Sequence, residues 1–391
     1  MAKLVVVGGG IGGLSTALSV ARRGHRVVVL ERGEFAEFGA GIQLAANGIH
    51  ALNRLGIDVR ATAVHVDELR FMDGVTGDHV ASVPVTGEYE RRFGNPYLVA
   101  HRGDLYRLLL AACRDSPGIV LRSHVRVTGY EQAGSGSASA VLTTGERVTG
   151  DALIGADGIH SAIRRQLVGD GPPRISGITV YRAIVPMAEI PASLRWPAVT
   201  WWAGPGCHFV HYPIAGGAFL NLAASDDNGA TEAIAGVDVP ASDVLARLSS
   251  LARTPRRLLE LGRDWKSWVL VDRPPVPNWT DGRVTLLGDA AHPMLHYAAQ
   301  GACQALEDAV LLGDLLDCSA TELGARFEKY NASRRERTAR IQRVSVESIA
   351  LWHPTGPAAT ARNATLSAMS TKDFHDELAW MHGIREFGAA A

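Results

Sequence analysis

The sequence is poor in cysteine, nearly free of net charge and lacks any long apolar run. Its four cysteines, Cys113, Cys207, Cys303 and Cys318, are scattered through 391 residues and form no C-x-x-C pair. That excludes a zinc ribbon and a disulfide framework, and fits a reduced, cytoplasmic protein. A formal net charge of −1 points to neither a nucleic-acid nor an anionic-membrane surface. No apolar stretch is long enough to span a bilayer, and the N-terminal apolar run is too short and too broken by glycines for a signal peptide. No internal repeat and no long low-complexity tract is present. Apolar residues make up 47% and charged residues 20%, the balance of a chain that buries an ordinary core. The length suffices for two domains in one continuous body.

What the chain does have is a patterned N-terminus. Lys3-Leu-Val-Val-Val7 reads as a buried strand running into Gly8-Gly9-Gly10-Ile11-Gly12-Gly13. Leu14, Ala17, Leu18 and Ala21 then share one helical face, Gly24 stops the helix, and Arg26 to Leu30 reads as a second strand ending at Glu31. Strand, G-x-G-x-x-G at Gly8, Gly10 and Gly13, helix, strand and acid form a complete dinucleotide-binding fingerprint. Gly8 serves the tight turn, Gly10 lets a pyrophosphate approach the backbone, and Gly13 lets helix and strand pack closely. The helix start, beginning at Ile11, favours an anion through its free N–H groups. Glu31 stands at the spacing needed to accept from ribose hydroxyls.

Further along, Arg32 to Gly41 reads as a loop, Ile42 to Asn47 as an extended stretch, and a short helix runs through Ala51 and Leu55 to Gly56. Residues 68–85 alternate as strands with turns at Asp73-Gly74 and Thr76-Gly77. Arg102 to Arg114 carries a helical apolar stripe. Short strands follow at Ile119, Arg126 and 138–143, with Gly134-Ser-Gly-Ser as a turn. Another buried strand is expected over 151–157, with a short helix to Leu167. Residues 174–271 hold most of the tryptophans and read as mainly β, with a helical insert over 241–261. The spacing then predicts a strand over 283–289 and helices over 301–316, 327–352 and 372–382.

Two more motifs bear on which dinucleotide is bound. Asp157-Gly158 with Ser161 and Arg164 puts an acid and a turn at a strand end, with Ser161 as a helix cap and Arg164 placed to tie the loop down. In Gly288-Asp289-Ala-Ala-His292-Pro293, Asp289 can accept from the ribityl chain of a flavin and Pro293 stiffens the loop. Gln300-Gly301-Ala302 then opens a long helix whose free N–H groups can face the electron-rich edge of the ring.

With these three motifs in order, the chain resembles the single-component FAD-dependent aromatic hydroxylases, the group A flavoprotein monooxygenases. Longer stretches, including Tyr181 to Pro186, Trp202 to Pro213 and Gly288 to Asp308, resemble the 3-hydroxybenzoate 6-hydroxylases of that family. The resemblance implies an α/β fold, in which a Rossmann-type FAD-binding domain (1–70, 98–173 and 280–320) is interleaved with a mainly β substrate domain (71–97 and 174–279). A C-terminal helical region (321–391) follows. It implies non-covalent FAD, NADH or NADPH as electron donor, O2 as co-substrate, and a small aromatic acid as the partner. The reduced flavin would trap O2 as a hydroperoxide that attacks the ring para to a hydroxyl, giving gentisate from 3-hydroxybenzoate. Ile11, Arg32, Gln43, Arg102 and Val127 join the motif residues as expected FAD contacts. Tyr181, Tyr212, Pro293, His296 and Tyr297 are the expected substrate pocket.

A phenol, with a pKa near tyrosine's ~10, needs a base or acceptor to become a good nucleophile. The expectation is His211, with Tyr212 on the opposite strand face by alternation, and Gln300 as second catalytic residue. His292 reads as structural, and Trp201 and Trp202 as packing residues. The arginines at 334, 335, 337, 340 and 343 read as a solvated face, with a homodimer contact as the alternative. Salicylate, aminohydroxybenzoate or hydroxynicotinate hydroxylation, a tailoring flavin oxidoreductase, and a non-catalytic flavin sensor all remain open at this point.

Overall fold

The computed structural model describes residues 1–36, 39–134 and 136–388. Residues 37 and 38 of the expected loop, and Ser135 of the expected turn, lie outside the described residues.

Lys3–Val7 is a strand because four successive apolar side chains can all be buried: Leu4, Val5, Val6 and Val7 lie at 0–3% exposure. Burial on both faces is the signature of a parallel sheet covered by helices. It pairs in parallel with Arg26–Leu30 on one side and Ala152–Gly155 on the other, Val5 opposite Val28 and Leu153. The sheet extends to Ile119–Arg122 at one edge and through Val284–Leu286 to Thr280–Asp281 at the other. The glycine turn leaves the first strand with Gly8 at φ +105°, and a β-carbon there would sit 2.2 Å from the carbonyl oxygen of Ala156. At Gly13 a β-carbon would fall 1.9 Å from the carbonyl oxygen of Gly8, so the helix Ile11–Ala21 packs against its own turn only with glycine there.

An eight-stranded sheet forms the other layer. Its order is Ala235–Asp238, Lys266–Asp272, Arg174–Pro186, Phe219–Asp227, Cys207–Ile214, Ala198–Gly204, Glu68–Asp73 and His79–Pro84. All neighbours are antiparallel except Ala198–Gly204 with Glu68–Asp73. Period-two alternation divides its side chains. Tyr181, Trp202, Phe209 and Leu222 pack on Val244, Leu248, Leu258, Leu259 and Trp265, which come from the helical insert and its flank. The helices of that insert are Ala241–Arg247 and Arg253–Leu261. Each such buried side chain contributes roughly 1.5–3 kcal/mol of hydrophobic stabilisation. Their strand neighbours Arg182, Trp201, Val210 and Tyr212 turn to the opposite face, toward the parallel sheet.

The fold class is α/β, as expected. The expected helix over 327–352 is two pieces, Leu323–Glu347 and Ile349–Trp352, parted at Ser348, whose Oγ donates to the Val344 carbonyl at 2.7 Å. The helices Glu88–Phe93 and Gly356–Ala368 were not anticipated. The second buries only Arg362, so its alanine- and threonine-rich sequence shows no apolar stripe to read.

Candidate active site

A cavity of about 380 Å³ lies between the two sheets. One side is built from strand ends and helix starts: Gly10, Ile11 and Gly12, Ala156 and Gly158, Leu287 to Asp289, and Gln300 to Ala302. A β-carbon at Gly10 would meet nothing within 4 Å, so open space faces the first N–H groups of the N-terminal helix. Asp289 lines the cavity with an exposed carboxylate, and the helix Gly301–Leu315 starts against it. Two helix starts and one carboxylate around a continuous space fit a flavin dinucleotide: N–H groups for its anionic parts and an acceptor for its hydroxyls. Gln43 and Arg102, the latter opening the helix Arg102–Asp115, also line the cavity.

Several expected contacts instead support the cavity from behind. Glu31 accepts from the backbone N–H of Gly9 at 2.8 Å and of Gly33 at 3.0 Å, fixing the glycine turn to the second strand. Arg32 is exposed beside it, and Val127 is half-buried at the start of its strand; neither lines the cavity. Asp157 accepts from Ser161 Oγ and from the Ala162 N–H, capping the helix Ala162–Leu167. Arg164, fully buried, donates to the carbonyls of Ala290 at 3.0 Å and Ala291 at 2.6 Å and to Asp170 at 2.7 Å. It thereby holds the turn that presents Asp289.

The opposite side comes from the eight-stranded sheet and the C-terminal segment, and here three expectations need correction. His211 is buried on the far face of its strand, with Trp196, Trp202 and Phe209 around its ring at 5.7, 6.5 and 5.4 Å. The cavity face of Cys207–Ile214 carries His208, Val210 and Tyr212. Tyr181 likewise packs among the helix-side residues, while its neighbour Arg182 lines the cavity. Pro293 borders a separate pocket with Arg273 and Gln342, and its carbonyl accepts from Gln342 at 2.9 Å. Tyr212, His296, Tyr297 and Gln300 do line the main cavity, and so does Trp201, which stacks on Trp352 at 5.6 Å rather than merely packing.

The chemistry of this side is distinctive. Among the described residues Arg182 has no ion pair and no side-chain hydrogen bond; its Nε is buried without a partner, and its guanidinium lies 5.8 Å from the Trp268 ring. Burial pushes its pKa down and the nearby Arg102 adds to this, offset in part by the Tyr212 hydroxyl. His208 Nδ1 lies 2.9 Å from His353 Nε2, leaving Nε2 of His208 to meet a cavity occupant. Burial, reinforced by His296 and His353, holds the His208 pKa well below 6.5, so the ring is neutral at pH 7. His296 stacks flat on Tyr297, with centroids 4.9 Å apart and planes 11° apart.

Gln300 is fixed from behind. Its Oε1 accepts from Asn47 Nδ2 at 2.9 Å and from Gln304 Nε2 at 3.0 Å, which leaves its amide nitrogen, buried and unpartnered, as a donor. Asn47 also donates to Glu307, and Glu307 and Asp308 pair with Arg334 at 2.6 Å each. Arg337 completes the pairing to Glu307 at 2.8 Å, and His292 binds Asp308 at 2.6 Å. Arg334 and Arg337 are therefore buried ion-pair partners, whereas Arg335, Arg340 and Arg343 are exposed. His292 is buried in this network through its bond to Asp308.

His208, Arg182, Trp352 and His353 were missed. A signal for the first was present: Tyr212 in the pocket places every second residue of its strand there, and His208 has that parity while His211 does not. No sequence signal brings His353 to His208, because they are 145 residues apart.

The family described as an FAD binding domain matches residues 1–345. The chain is 46% identical over 390 residues to 3-hydroxybenzoate 6-hydroxylase 1 of Aquipseudomonas alcaligenes, covering 97% of each. It is 40% identical over 383 residues to 3-hydroxybenzoate 6-hydroxylase of Polaromonas naphthalenivorans, covering 97% of this chain and 95% of the relative. Among solved structures, Klebsiella pneumoniae HpxO complexed with FAD and uric acid superposes with a TM-score of 0.85 at 25% identity, covering 96% of this chain and 95% of the other.

Proposed function

Because this chain belongs to the FAD-binding-domain family and is an FAD-dependent aromatic hydroxylase, we propose that it hydroxylates a hydroxybenzoate-type acid, converting 3-hydroxybenzoate to gentisate. The observation that carries the substrate class is Arg182: a cation facing the cavity without a carboxylate of its own, in the same cavity as a neutral histidine. An aromatic acid with a ring hydroxyl answers both. A buried guanidinium gains most from an anion that enters with the ligand, through charge-assisted bonds in a site of low dielectric.

When bound, FAD supplies the redox chemistry, taking a hydride from NAD(P)H and delivering one oxygen atom of O2 to the ring. The chain's own residues do the rest. Arg182 holds the carboxylate. His208 Nε2 takes the proton from the ring hydroxyl, which raises electron density at the carbons ortho and para to it. The amide nitrogen of Gln300 donates to an oxygen of the substrate and keeps its plane fixed. Trp201, Trp352 and Tyr297 wall the ring and exclude water. With carboxylate and hydroxyl meta to one another and both held, the carbon para to the hydroxyl is the one left to face the cofactor. NADH is the proposed donor, binding transiently, since the one glycine fingerprint serves FAD. A cytoplasmic setting belongs to the same reading, supported by four free thiols. So do the discontinuous domain boundaries read from the sequence and a homodimeric state.

A panel of benzoates tests this. NADH oxidation stimulated by 3-hydroxybenzoate, with gentisate formed in matching amount, is the expected result. Hydroxylation ortho to the hydroxyl, or decarboxylation of salicylate to catechol, would assign a sister activity instead.

A further inference from the structure

Behind the cavity wall, His208 meets a second histidine that the proposed reaction does not use. His208 Nδ1 and His353 Nε2 are 2.9 Å apart, with ring centroids 5.2 Å apart. His208 is 2% exposed and His353 8% exposed, so bulk water does not compete for either nitrogen. Two neutral imidazoles in contact share one proton, and the ring that donates it has its other nitrogen free as a base. His353 is also rigidly placed: it ends the helix Ile349–Trp352, and its carbonyl accepts from the N–H of Gly206 at 3.1 Å, in the turn that enters the His208 strand.

We infer that His353 is a positioning residue whose Nε2 accepts from His208 Nδ1–H, holding His208 in the tautomer that turns an unprotonated Nε2 into the cavity. The surroundings favour that direction. The Tyr297 hydroxyl lies 3.3 Å from the same His353 Nε2, so two donors converge on it and one lone pair serves both. The groups that face His353 are His208, His296 and Tyr297 from the cavity wall and the exposed Asp227, whose charge favours a proton on the His353 ring. Asp227 also stabilises the positive charge that reaches this pair when His208 takes the phenol proton. The inference rests on His208 being the group that accepts that proton.

The test uses the FAD-loaded enzyme and reads ionisation of the bound substrate, not turnover alone. A bound phenol that ionises releases or shifts a proton and changes its near-ultraviolet absorbance, so titration from pH 6 to 9 gives its apparent pKa in the site. In His353→Leu the His208 ring is free to place its proton on Nε2. Bound phenolate at neutral pH should fall about tenfold or more and hydroxylation about 10²-fold, within the usual range of acid–base help, with substrate affinity within ~3-fold. In His353→Gln the amide oxygen reaches the place of Nε2 and accepts from Nδ1–H, so ionisation and rate should largely return. If the leucine variant does not load flavin, His353→Asn, polar but too short to reach Nδ1, carries the same expectation. An unchanged phenol pKa in the leucine or asparagine variant overturns the inference, and so does equal impairment in the glutamine variant. His208→Gln separates the two readings: if it leaves the bound phenol ionised, the base assignment itself fails. If it abolishes ionisation and His353→Leu does not, only the positioning role fails.

Discussion

Replacing Arg182 by methionine should weaken substrate binding and strengthen the protein. In the wild type the guanidinium faces the cavity and the Trp268 ring, feels Tyr212 and Arg102, and has no carboxylate partner among the described residues. Holding a cation there without a partner costs stability, and methionine of similar length removes that cost, so the substrate-free enzyme should gain about 1–3 kcal/mol or at least lose none. Binding moves the other way. A hydrogen bond to a charged group is worth roughly 1.5–3 kcal/mol, and a carboxylate left in the cavity without its cation costs up to about 3–5 kcal/mol. At 1.4 kcal/mol per tenfold, the substrate dissociation constant should rise about 10²–10³-fold. Titration of the flavin absorbance with 3-hydroxybenzoate and with its neutral amide gives the two affinities, and melting without ligand gives the stability. The acid should lose its advantage while the amide binds within ~3-fold of wild type. Equal losses for acid and amide, or a lower melting temperature with unchanged affinity for the acid, would refute the assignment of Arg182 as carboxylate partner.

His208→Gln should keep FAD and substrate-stimulated NADH oxidation but slow hydroxylation by about 10²–10⁴-fold, diverting reducing equivalents to peroxide; His211→Leu should leave the ratio of product to NADH unchanged, and rapid-quench product analysis beside peroxide assay separates them. Asp289→Ala should weaken FAD binding by about 10–100-fold, from the loss of roughly 1.5–3 kcal/mol, as read by flavin fluorescence; full retention of flavin would remove Asp289 from the cofactor site. Stability should fall with acid in a defined window. Burial lowers the pKa of His211, His296 and His382 to about 3. The unfolded chain binds protons at these sites below its ordinary ~6.5 while the native state does not, so stability is intact above pH 6.5 and declines from there toward pH 3. At pH 5.5 the three together should cost roughly 4 kcal/mol, and a melting temperature that stays flat between pH 7.5 and 5.5 would contradict their neutral burial.

The N-terminal unit was legible because its rules are local. Strand, turn, helix and acid lie within the first 31 residues, and Gly13 answers a contact made by its own turn, whereas the contact of Gly8 with Ala156 comes from across the sheet. The catalytic side was less legible for a reason of geometry. A one-residue error along a strand moves a side chain to the other face of the sheet, and both His211 for His208 and Tyr181 for Arg182 are errors of that size. Residue type does not resolve them: a buried histidine among tryptophans and a buried histidine in a cavity look alike in sequence. Partners supplied from far along the chain were not legible. Trp352 reaches the cavity, and His353 the ring of His208, only because the helix Leu323–Glu347 carries the chain across the molecule, and the arginines on that helix look solvated until the helix Gly301–Leu315 is placed beside them.

That last pairing explains how an irregular cavity wall is kept in register. Buried ion pairs are seldom a net source of stability, because desolvation offsets attraction. Here two carboxylates, Glu307 and Asp308, meet two guanidinium groups, Arg334 and Arg337, so the buried charge is balanced. Burial alone would raise the Glu307 pKa, yet the two arginines bring it down to about 2, so the cluster stays ionised across the working pH range. Its worth is in what it joins. Asp308 accepts from the Gly288 N–H at 3.1 Å and from His292, on the turn that presents Asp289. Glu307 accepts from Asn47, which fixes the Gln300 amide. Arg337 donates to the carbonyls of Trp380 and Met381 in the helix Thr371–His382. Four distant segments are thus tied to one charge cluster by directional bonds, and an apolar core of equal volume would supply no such directions. Hydroxylation at one ring carbon needs the substrate's fixed points to hold their distance from the cofactor, and the cluster behind Gln300 is where this fold sets that distance.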